Sequence, residues 1–275
     1  MKLRKALDKA KKERNDLESF VSPDSSKGLS SAVVSEEDQF SQVYSESRHV
    51  NLKEKILKKN LCASYFTDSF DGDIYKAIRT QIVRKMQEHG WSTLLITSAL
   101  PGEGKSLTTI NLAITFAKEL HRTVLLIDAD LRRQNIHKCL GYKSNAGLAE
   151  YLVNDAPLQE LITRPGIEKL SIISGGQTVR DSTEKISSQK MGLLMDEMKN
   201  RYKDRFVIFD SPPILTCPDT IAFAPLVDAV LMVVEADKTS AEDVKKASVL
   251  LPAEKFLGFI LNKSNILPVK NYGYY

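Results

Sequence analysis

The sequence has few cysteines and no long apolar run. Only three of the 275 residues are cysteine, and Cys62, Cys139 and Cys217 lie far apart without a CxxC pair. We therefore expect buried or idle reduced thiols, and the four histidines do not join them in a zinc-type cluster. No apolar run approaches the roughly 18 residues of a membrane-spanning helix, and the charged start MKLRKALDKAKKERNDL is unlike a signal peptide. These absences predict a cytoplasmic protein.

The net charge of the chain is also small, and the positive residues are distributed unevenly. The formal net charge of +4 is too small to indicate a nucleic-acid partner. Residues 1–17 carry an apolar side among lysines and arginines, which predicts a short basic helix that is either solvated or docked on a partner or on anionic lipid. Residues 18–59 are rich in serine and polar side chains and are predicted to be a linker.

The next segment, residues 60–264, has the alternating pattern of an α/β domain. Continuous apolar runs are separated by helical stretches such as Leu107–Leu120, Ser188–Tyr202 and Ala241–Leu251. This alternation predicts a mostly parallel sheet with helices on both faces, in which ligands gather at the carboxyl ends of the strands. The predicted strands are Thr93–Thr97, Val124–Asp128, Leu170–Ile173, Phe206–Asp210, Ala229–Val234 and Phe256–Leu261.

A glycine-rich turn, TSALPGEGKS, lies between the first predicted strand and a predicted helix. Gly102 and Gly104 allow close approach of the backbone to a ligand, and the N–H groups of the turn and helix start form an anion cradle. Ala99 stands where the P-loop pattern GxxxxGK[ST] has its first glycine, but the strand–turn–helix context still predicts a P-loop NTPase. The predicted ATP-binding residues of this turn are Pro101, Gly102, Glu103, Gly104, Lys105, Ser106 and Leu107.

Aspartates end two of the predicted strands. VLLIDADLRR places Asp128 and Asp130 after one apolar run, and RFVIFDSPP places Asp210 at the end of another. A single strand-end aspartate is often only a helix cap. Two such strands beside a P-loop instead predict a hard-oxygen Mg²⁺ site, with one carboxylate left to accept a proton from an attacking hydroxyl.

At these motifs the chain resembles the bacterial tyrosine kinases (BY-kinases) of capsule and exopolysaccharide systems. SALPGEGKS is similar to their P-loop, LLIDADLR fits their D-x-D-x-R motif, and Asp210 fits their Walker B position. The resemblance covers roughly Tyr75 to Leu261 and implies an ATP- and Mg²⁺-dependent protein-tyrosine kinase that acts on itself and regulates polysaccharide chain length and export.

The resemblance also implies roles for individual residues. Lys105 would bind the phosphates, and Asp128 would accept the proton of the incoming tyrosine hydroxyl. Asn262, in FILNK, lies where relatives contact the adenine ring. The implied magnesium ligands are Ser106, Asp130 and Asp210, the last acting through water.

Assembly and partners follow from the same resemblance. The family has an E-x-x-R-x-x-R helix for ring assembly, and Asp73, Lys76 and Arg79 occupy the matching positions, two of them with a different residue type. The resemblance implies a homo-oligomeric ring when the chain is unphosphorylated, a membrane-bound polysaccharide chain-length regulator as activator, and a cognate tyrosine phosphatase. It places the kinase in the cytoplasm, peripheral to the inner face of the plasma membrane.

The last residues, 265–275, supply a candidate substrate. Three of the nine tyrosines, Tyr272, Tyr274 and Tyr275, lie in the sequence NYGYY. Taken alone, this segment is also consistent with a frayed terminus that happens to carry tyrosines. Beside a tyrosine-kinase motif set, it predicts a tail of autophosphorylation sites.

Two alternative functions remain open at this point. A partition- or division-type ATPase shares the P-loop class, but Leu100 stands where such proteins have a second lysine. A module that binds ATP and only scaffolds an export complex would show the same motifs. A eukaryotic-type kinase is excluded because no H-R-D or D-F-G motif occurs.

Overall fold

The computed structural model of the protein describes residues 48–67, 69–119, 122–200 and 205–264. The predicted N-terminal helix, most of the predicted linker and the tail with Tyr272, Tyr274 and Tyr275 lie outside these residues. Among the residues described, no helix is both long and apolar enough to cross a membrane.

The described residues form an eight-stranded sheet with the order β1-β4-β5-β3-β6-β2-β7-β8. Its neighbours pair in parallel except β4 and β5, which pair antiparallel. The prediction of a mostly parallel sheet is therefore confirmed. The strands are β1 Arg48–His49, β2 Thr93–Ser98, β3 Thr123–Asp128, β4 Ile162–Arg164, β5 Leu170–Ile173, β6 Arg205–Asp210, β7 Ala229–Glu235 and β8 Phe256–Asn262.

Helices cover both faces of the sheet, as predicted. The described helices are α1 Glu54–Lys59, α2 Phe70–His89, α3 Lys105–Glu119, α4 Ile136–Leu140, α5 Leu148–Asn154, α6 Leu158–Leu161, α7 Ser182–Ile186, α8 Gln189–Asn200, α9 Asp219–Phe223 and α10 Ala241–Val249. Successive strand residues alternate between two apolar clusters, so that Leu94 and Ile96 pack with α1–α4, whereas Leu95 packs with α5 and α7–α10. Because every central strand is buried on both sides, its sequence is apolar without interruption.

Helix α2 shows how local sequence sets these elements. The Ser69 hydroxyl accepts a hydrogen bond from the Gly72 N–H at 3.4 Å and caps the first turn, and Gly90 ends the helix with a φ of 68°. The Ile82 and Met86 side chains of α2 are buried against the sheet and α3. The exposed side of α2 carries the charged residues.

The folded domain begins earlier than the predicted linker boundary at residue 59. Arg48 in β1 is the register partner of Thr163 in β4, and the Leu57 side chain of α1 is fully buried in the core. The Asn60 side chain also donates to the Cys139 carbonyl at 2.8 Å. Residues 48–59 therefore belong to the domain, because a short helix with one deeply buried leucine secures them there.

The cysteines are reduced thiols, two of them buried, as predicted. Burial raises the pKa of Cys62 to about 12 and that of Cys217 to about 11. The half-buried Cys139 has a pKa raised to about 11, also mainly by burial. At neutral pH all three thiols are therefore protonated and weakly nucleophilic.

Candidate active site

The P-loop connects the end of β2 to the start of α3. Gly102 and Gly104 have φ values of 87° and 93°, a region that residues with a side chain rarely adopt. A Cβ on Gly104 would also lie 2.2 Å from the Asn262 Nδ2 atom. Glycine is therefore required at position 104 for two reasons, its backbone angle and the space occupied by Asn262.

Three acidic side chains converge beside the start of α3. Asp128 and Asp210 are register partners at the ends of β3 and β6, so the parallel sheet places these carboxylates side by side. The Lys105 Nζ atom lies 3.1 Å from Asp130 Oδ2 and 3.4 Å from Asp210 Oδ2. The predicted phosphate-binding lysine and the strand-end aspartates thus form one cluster.

The oxygen atoms around Lys105 fit a magnesium ion. The Ser106 hydroxyl donates to Asp210 Oδ2 at 2.6 Å and itself lies 3.3 Å from Lys105 Nζ, so that Ser106, Asp130 and Asp210 all face one cationic point. Hydroxyl and carboxylate oxygens are the ligands that Mg²⁺ prefers. In the described part of the chain no group of three or more His, Cys, Asp or Glu forms a metal site by itself.

Burial and charge set the pKa values in this cluster. Burial lowers the pKa of Lys105, but Asp210, Asp130 and Asp128 outweigh it, and the net shift is upward. Burial and the Asp210 charge raise the pKa of Asp128 to about 7, against the opposing backbone N–H groups and Lys105. Burial also raises the pKa of Asp210, although Lys105 and Ser106 act against it. A cation is therefore needed here to keep the carboxylates ionised.

Asp128, like Asp210, is completely buried. Its Oδ2 atom accepts the N–H groups of Asn135 at 2.9 Å and Ile136 at 3.1 Å, and its Oδ1 atom accepts the Asp130 N–H at 3.2 Å. Oδ1 has one protein donor and therefore retains a lone pair for a proton. The same hydrogen bonds fix the chain that follows β3 against the cluster of Lys105 and the aspartates.

The side chains of Glu103 and Asn262 stabilise the P-loop through hydrogen bonds outside the cavity. The buried Glu103 carboxylate accepts the N–H groups of Leu100 at 2.7 Å and Glu235 at 3.3 Å, together with the Thr239 hydroxyl. The Asn262 side chain donates to the Glu103 carbonyl at 2.8 Å. Both side chains lie outside the cavity lining described below. Their predicted contact with ATP stays a prediction.

An open cavity of about 920 Å³ lies in front of the P-loop. Six of the seven predicted P-loop residues line it, together with Asp130, whereas Asp128 and Asp210 are completely buried beneath it. Of the remaining lining residues, the sequence reasoning had included only Arg132, within the D-x-D-x-R motif, and Cys217, as a thiol. The remaining lining residues are Arg132, Arg133, Gln134, Asn135, Lys138, Thr178, Pro212, Pro213, Thr216 and Cys217.

Thr109 is a further residue that the sequence reasoning missed. It lies one turn after Lys105 on α3, and its hydroxyl donates to the Lys105 carbonyl at 2.8 Å and lies 3.3 Å from Asp210 Oδ1. The four-residue spacing from the P-loop lysine was the available signal, because it places Thr109 on the same side of the helix.

The known proteins similar to this chain include bacterial tyrosine kinases. Residues 93–251 match the AAA domain family. The chain is 33% identical over 221 residues to the tyrosine-protein kinase YwqD of Bacillus subtilis, covering 80% of this chain and 92% of that one. It is 32% identical over 208 residues to the tyrosine-protein kinase CpsD of Streptococcus agalactiae, covering 74% and 87%. The chain belongs to the bacterial tyrosine kinases.

Solved structures agree with this assignment. The kinase domain of the Escherichia coli tyrosine kinase ETK superposes with a TM-score of 0.69 at 27% identity, covering 89% of this kinase and all of that chain. The septum site-determining protein MinD of Pyrococcus horikoshii, solved with Mg-ADP, superposes with a TM-score of 0.52 and covers 63% of this kinase. The division-type ATPases are therefore the more distant neighbours.

The predicted assembly residues of the kinase lie on α2. Lys76 and Asp73 form an ion pair at 3.0 Å on the exposed side of the helix, and Arg79 Nη1 lies 3.5 Å from the Thr115 carbonyl of α3. Asp73 and Lys76 are accessible to a neighbouring molecule, whereas Arg79 is half-buried. Their role in a ring stays a prediction.

Proposed function

We propose that this kinase is an ATP-dependent protein-tyrosine autokinase whose substrates include Tyr272, Tyr274 and Tyr275. The observation that supports the proposal best is the convergence of Lys105, Ser106, Asp130 and Asp210 at the carboxyl ends of β3 and β6, next to the buried Asp128. A phosphoryl-transfer site needs this combination of positive charge, hard-oxygen ligands and a proton acceptor.

The reaction assigns one task to each group. The tyrosine oxygen attacks the γ-phosphorus of ATP while the bond to the β,γ-bridging oxygen breaks and ADP leaves. Tyrosine has a pKa near 10, so its hydroxyl needs a base, and Asp128 Oδ1 is proposed to take the proton. Lys105 would leave its carboxylate partners and bind the phosphate oxygens. When bound by Ser106, Asp130 and Asp210, Mg²⁺ would neutralise charge on the triphosphate.

Partners and location complete the proposal. We infer activation by the cytoplasmic end of a membrane-bound polysaccharide chain-length regulator, and dephosphorylation by a cognate tyrosine phosphatase. The kinase would act in the cytoplasm at the inner face of the plasma membrane, would form a ring when unphosphorylated, and would regulate the length and export of an exopolysaccharide. The family relationship supports these points.

Mass spectrometry of the full chain after incubation with Mg²⁺-ATP tests the activity. Phosphate on Tyr272, Tyr274 or Tyr275 that is lost in Lys105→Met and reduced in Asp128→Asn is the expected result. ATP hydrolysis with an unmodified tail, even when the cognate regulator is present, would contradict the autokinase and favour a nucleotide switch. Nucleotide binding by Asp128→Asn, measured with a fluorescent ATP analogue, separates loss of the base from loss of the site.

A further inference from the structure

The cavity in front of the P-loop carries more positive charge than its own carboxylates neutralise. Lys105 is paired with Asp130 and Asp210, and Arg132 is held by Asp219 at 3.6 Å and by the Ser182 hydroxyl at 2.8 Å. Two more cations, Arg133 and Lys138, line the same cavity and are exposed. Within the described residues, neither side chain forms an ion pair with a carboxylate.

These two cations are fixed relative to the catalytic carboxylates. The Arg133 N–H donates to Asp130 Oδ1 at 2.9 Å. The start of α4, which carries Lys138, is held by the Ile136 N–H on Asp128 Oδ2 at 3.1 Å. The side chains of Arg133 and Lys138 therefore project from a backbone tied to the site where the tyrosine reacts. They line the same cavity as Gly102 and the other P-loop residues that are predicted to bind the triphosphate.

The unmodified side chains of the predicted substrate segment carry no negative charge for such a pair. The sequence SNILPVKNYGYY, residues 264–275, contains one lysine and no aspartate or glutamate. An unmodified tail therefore offers no acidic side chain to the two cations. A phosphotyrosine brings a charge of about −1.5 to −2 and three acceptor oxygens, which arginine and lysine bind well.

We propose that Arg133 and Lys138 form a subsite for the phosphate of an already phosphorylated tyrosine, which then presents a second tyrosine of the same segment to the active site. The inference rests on the proposed function and names its preferred substrate class, a tyrosine next to a phosphotyrosine. Residues two apart in an extended peptide, such as Tyr272 and Tyr274, lie about 7 Å apart and on the same side. The cavity that would receive the phosphotyrosine and the reacting tyrosine has a volume of about 920 Å³.

Binding of two synthetic peptides to the full chain with Mg²⁺-ADP tests the subsite. The peptides are SNILPVKNYGYY and the same sequence phosphorylated at Tyr274, each followed by fluorescence anisotropy. We expect the wild-type chain to bind the phosphopeptide about tenfold more tightly, as one or two charge-assisted contacts imply. Arg133→Gln/Lys138→Gln should lose this preference. Lys59→Gln/Lys245→Gln, which removes two exposed lysines outside the cavity, should keep it.

Transfer of phosphate to Tyr272 of each peptide, followed by mass spectrometry with Mg²⁺-ATP, gives the second readout. The phosphopeptide should react faster with the wild-type chain, and the ratio of the two rates should fall about tenfold in Arg133→Gln/Lys138→Gln. Equal binding of the two peptides by the wild-type chain would overturn the subsite. A preference for the phosphopeptide that survives the double substitution would also overturn the subsite. If Arg133→Gln/Lys138→Gln lost ATP affinity to the same extent, both cations would instead be assigned to the triphosphate. A binding preference without any transfer would support the subsite and contradict the kinase activity.

Discussion

Ser106 and Asp210, which are 104 positions apart in the sequence, are joined by a 2.6 Å hydrogen bond from the serine hydroxyl to Oδ2. The bond connects the first turn of α3 to the end of β6, and Lys105 lies beside it. This hydrogen bond thus joins the P-loop directly to the end of β6.

Asp210→Asn should lower tail phosphorylation by about 100-fold or more, because it removes a proposed magnesium ligand and a charge that attracts Lys105. The measurement is the initial rate of phosphate incorporation at several Mg²⁺ concentrations. Asp196→Asn, at an exposed position on α8, serves as the control. A rate within threefold of the wild-type value would show that Asp210 has no part in the reaction.

Glu103→Ala should destabilise the nucleotide-free protein by about 2 kcal/mol, because buried N–H groups of Leu100 and Glu235 would lose their acceptor. ATP affinity should fall as well, since the P-loop would lose its support. Urea unfolding and titration with a fluorescent ATP analogue measure the two effects. Glu242→Ala, which breaks an exposed ion pair on α10, should change neither by much. Unchanged stability in Glu103→Ala would refute the supporting role.

Gly104→Ala should destabilise the nucleotide-free protein more than Gly102→Ala. Both positions have a positive φ, which costs about 1–2 kcal/mol for a residue with a side chain. Only the Cβ at position 104 also meets the Asn262 side chain, whereas nothing lies within 4 Å of the one at position 102. Thermal unfolding of both variants measures the difference. Adding Asn262→Ala to Gly104→Ala should recover part of it, and no recovery would argue against the clash.

Asp228→Asn should lower stability at neutral pH by about 1–2 kcal/mol. Its carboxylate accepts the Ser92 and Thr93 N–H groups, each at 3.0 Å, and pairs with Lys199 at 2.7 Å. Burial raises the pKa of Asp228, but these partners outweigh it, so the pKa is lowered overall.

A carboxyl group with a lowered pKa stabilises the fold above its ordinary pKa of about 4, and this contribution disappears as the pH falls through the lower value in the folded protein. Urea unfolding should therefore separate wild type from Asp228→Asn at pH 7 and less so below pH 4. Asp196→Asn, an exposed position on α8, is the control. A difference independent of pH would contradict the carboxylate's role.

Simultaneous replacement of Asp73, Lys76 and Arg79 by alanine should reduce the oligomer mass in sedimentation velocity, if these residues join neighbouring kinases in a ring. Arg79 also lies near Thr115 in its own chain, so circular dichroism must confirm that the fold is intact. Replacing Arg84 and Glu88, an exposed ion pair further along α2, provides the matched control. An unchanged mass would exclude this face of α2 as the interface.

The central fold could be read from the sequence because its signals are local and strong. The six predicted strands are all present. Four of them, β2, β3, β6 and β7, are buried along almost their whole length and therefore carry long apolar runs, whereas the edge strand β8 is apolar but partly exposed. The strands β1 and β4 were missed because they span only two and three residues at one edge of the sheet. The position of Leu57 in the core depends on tertiary contacts, which the polar sequence around it did not reveal.

The residues of the site could be predicted from the sequence, but the orientations of all their side chains could not. Lys105, Ser106, Asp130 and Asp210 converge because strand ends and the P-loop meet at one edge of a parallel sheet. Glu103 lies within the same motif, yet its side chain points away from the cavity because Leu100, Glu235 and Thr239 hold it there. The direction of a loop side chain is set by such distant partners, and a sequence motif does not contain them.

The contact of Lys105 with two aspartates makes this lysine the counter-ion of the acidic cluster. A divalent ion arriving alone must displace this ammonium group from Asp130 and Asp210, whereas a triphosphate arriving alone must draw it away from them. Binding of the divalent ion therefore frees Lys105 for the triphosphate, and binding of the triphosphate frees Asp130 and Asp210 for the ion. By thermodynamic linkage, each ligand raises the affinity for the other by the same factor. Magnesium and ATP should accordingly enter as a cooperative pair, and the buried carboxylates are never left without a positive charge.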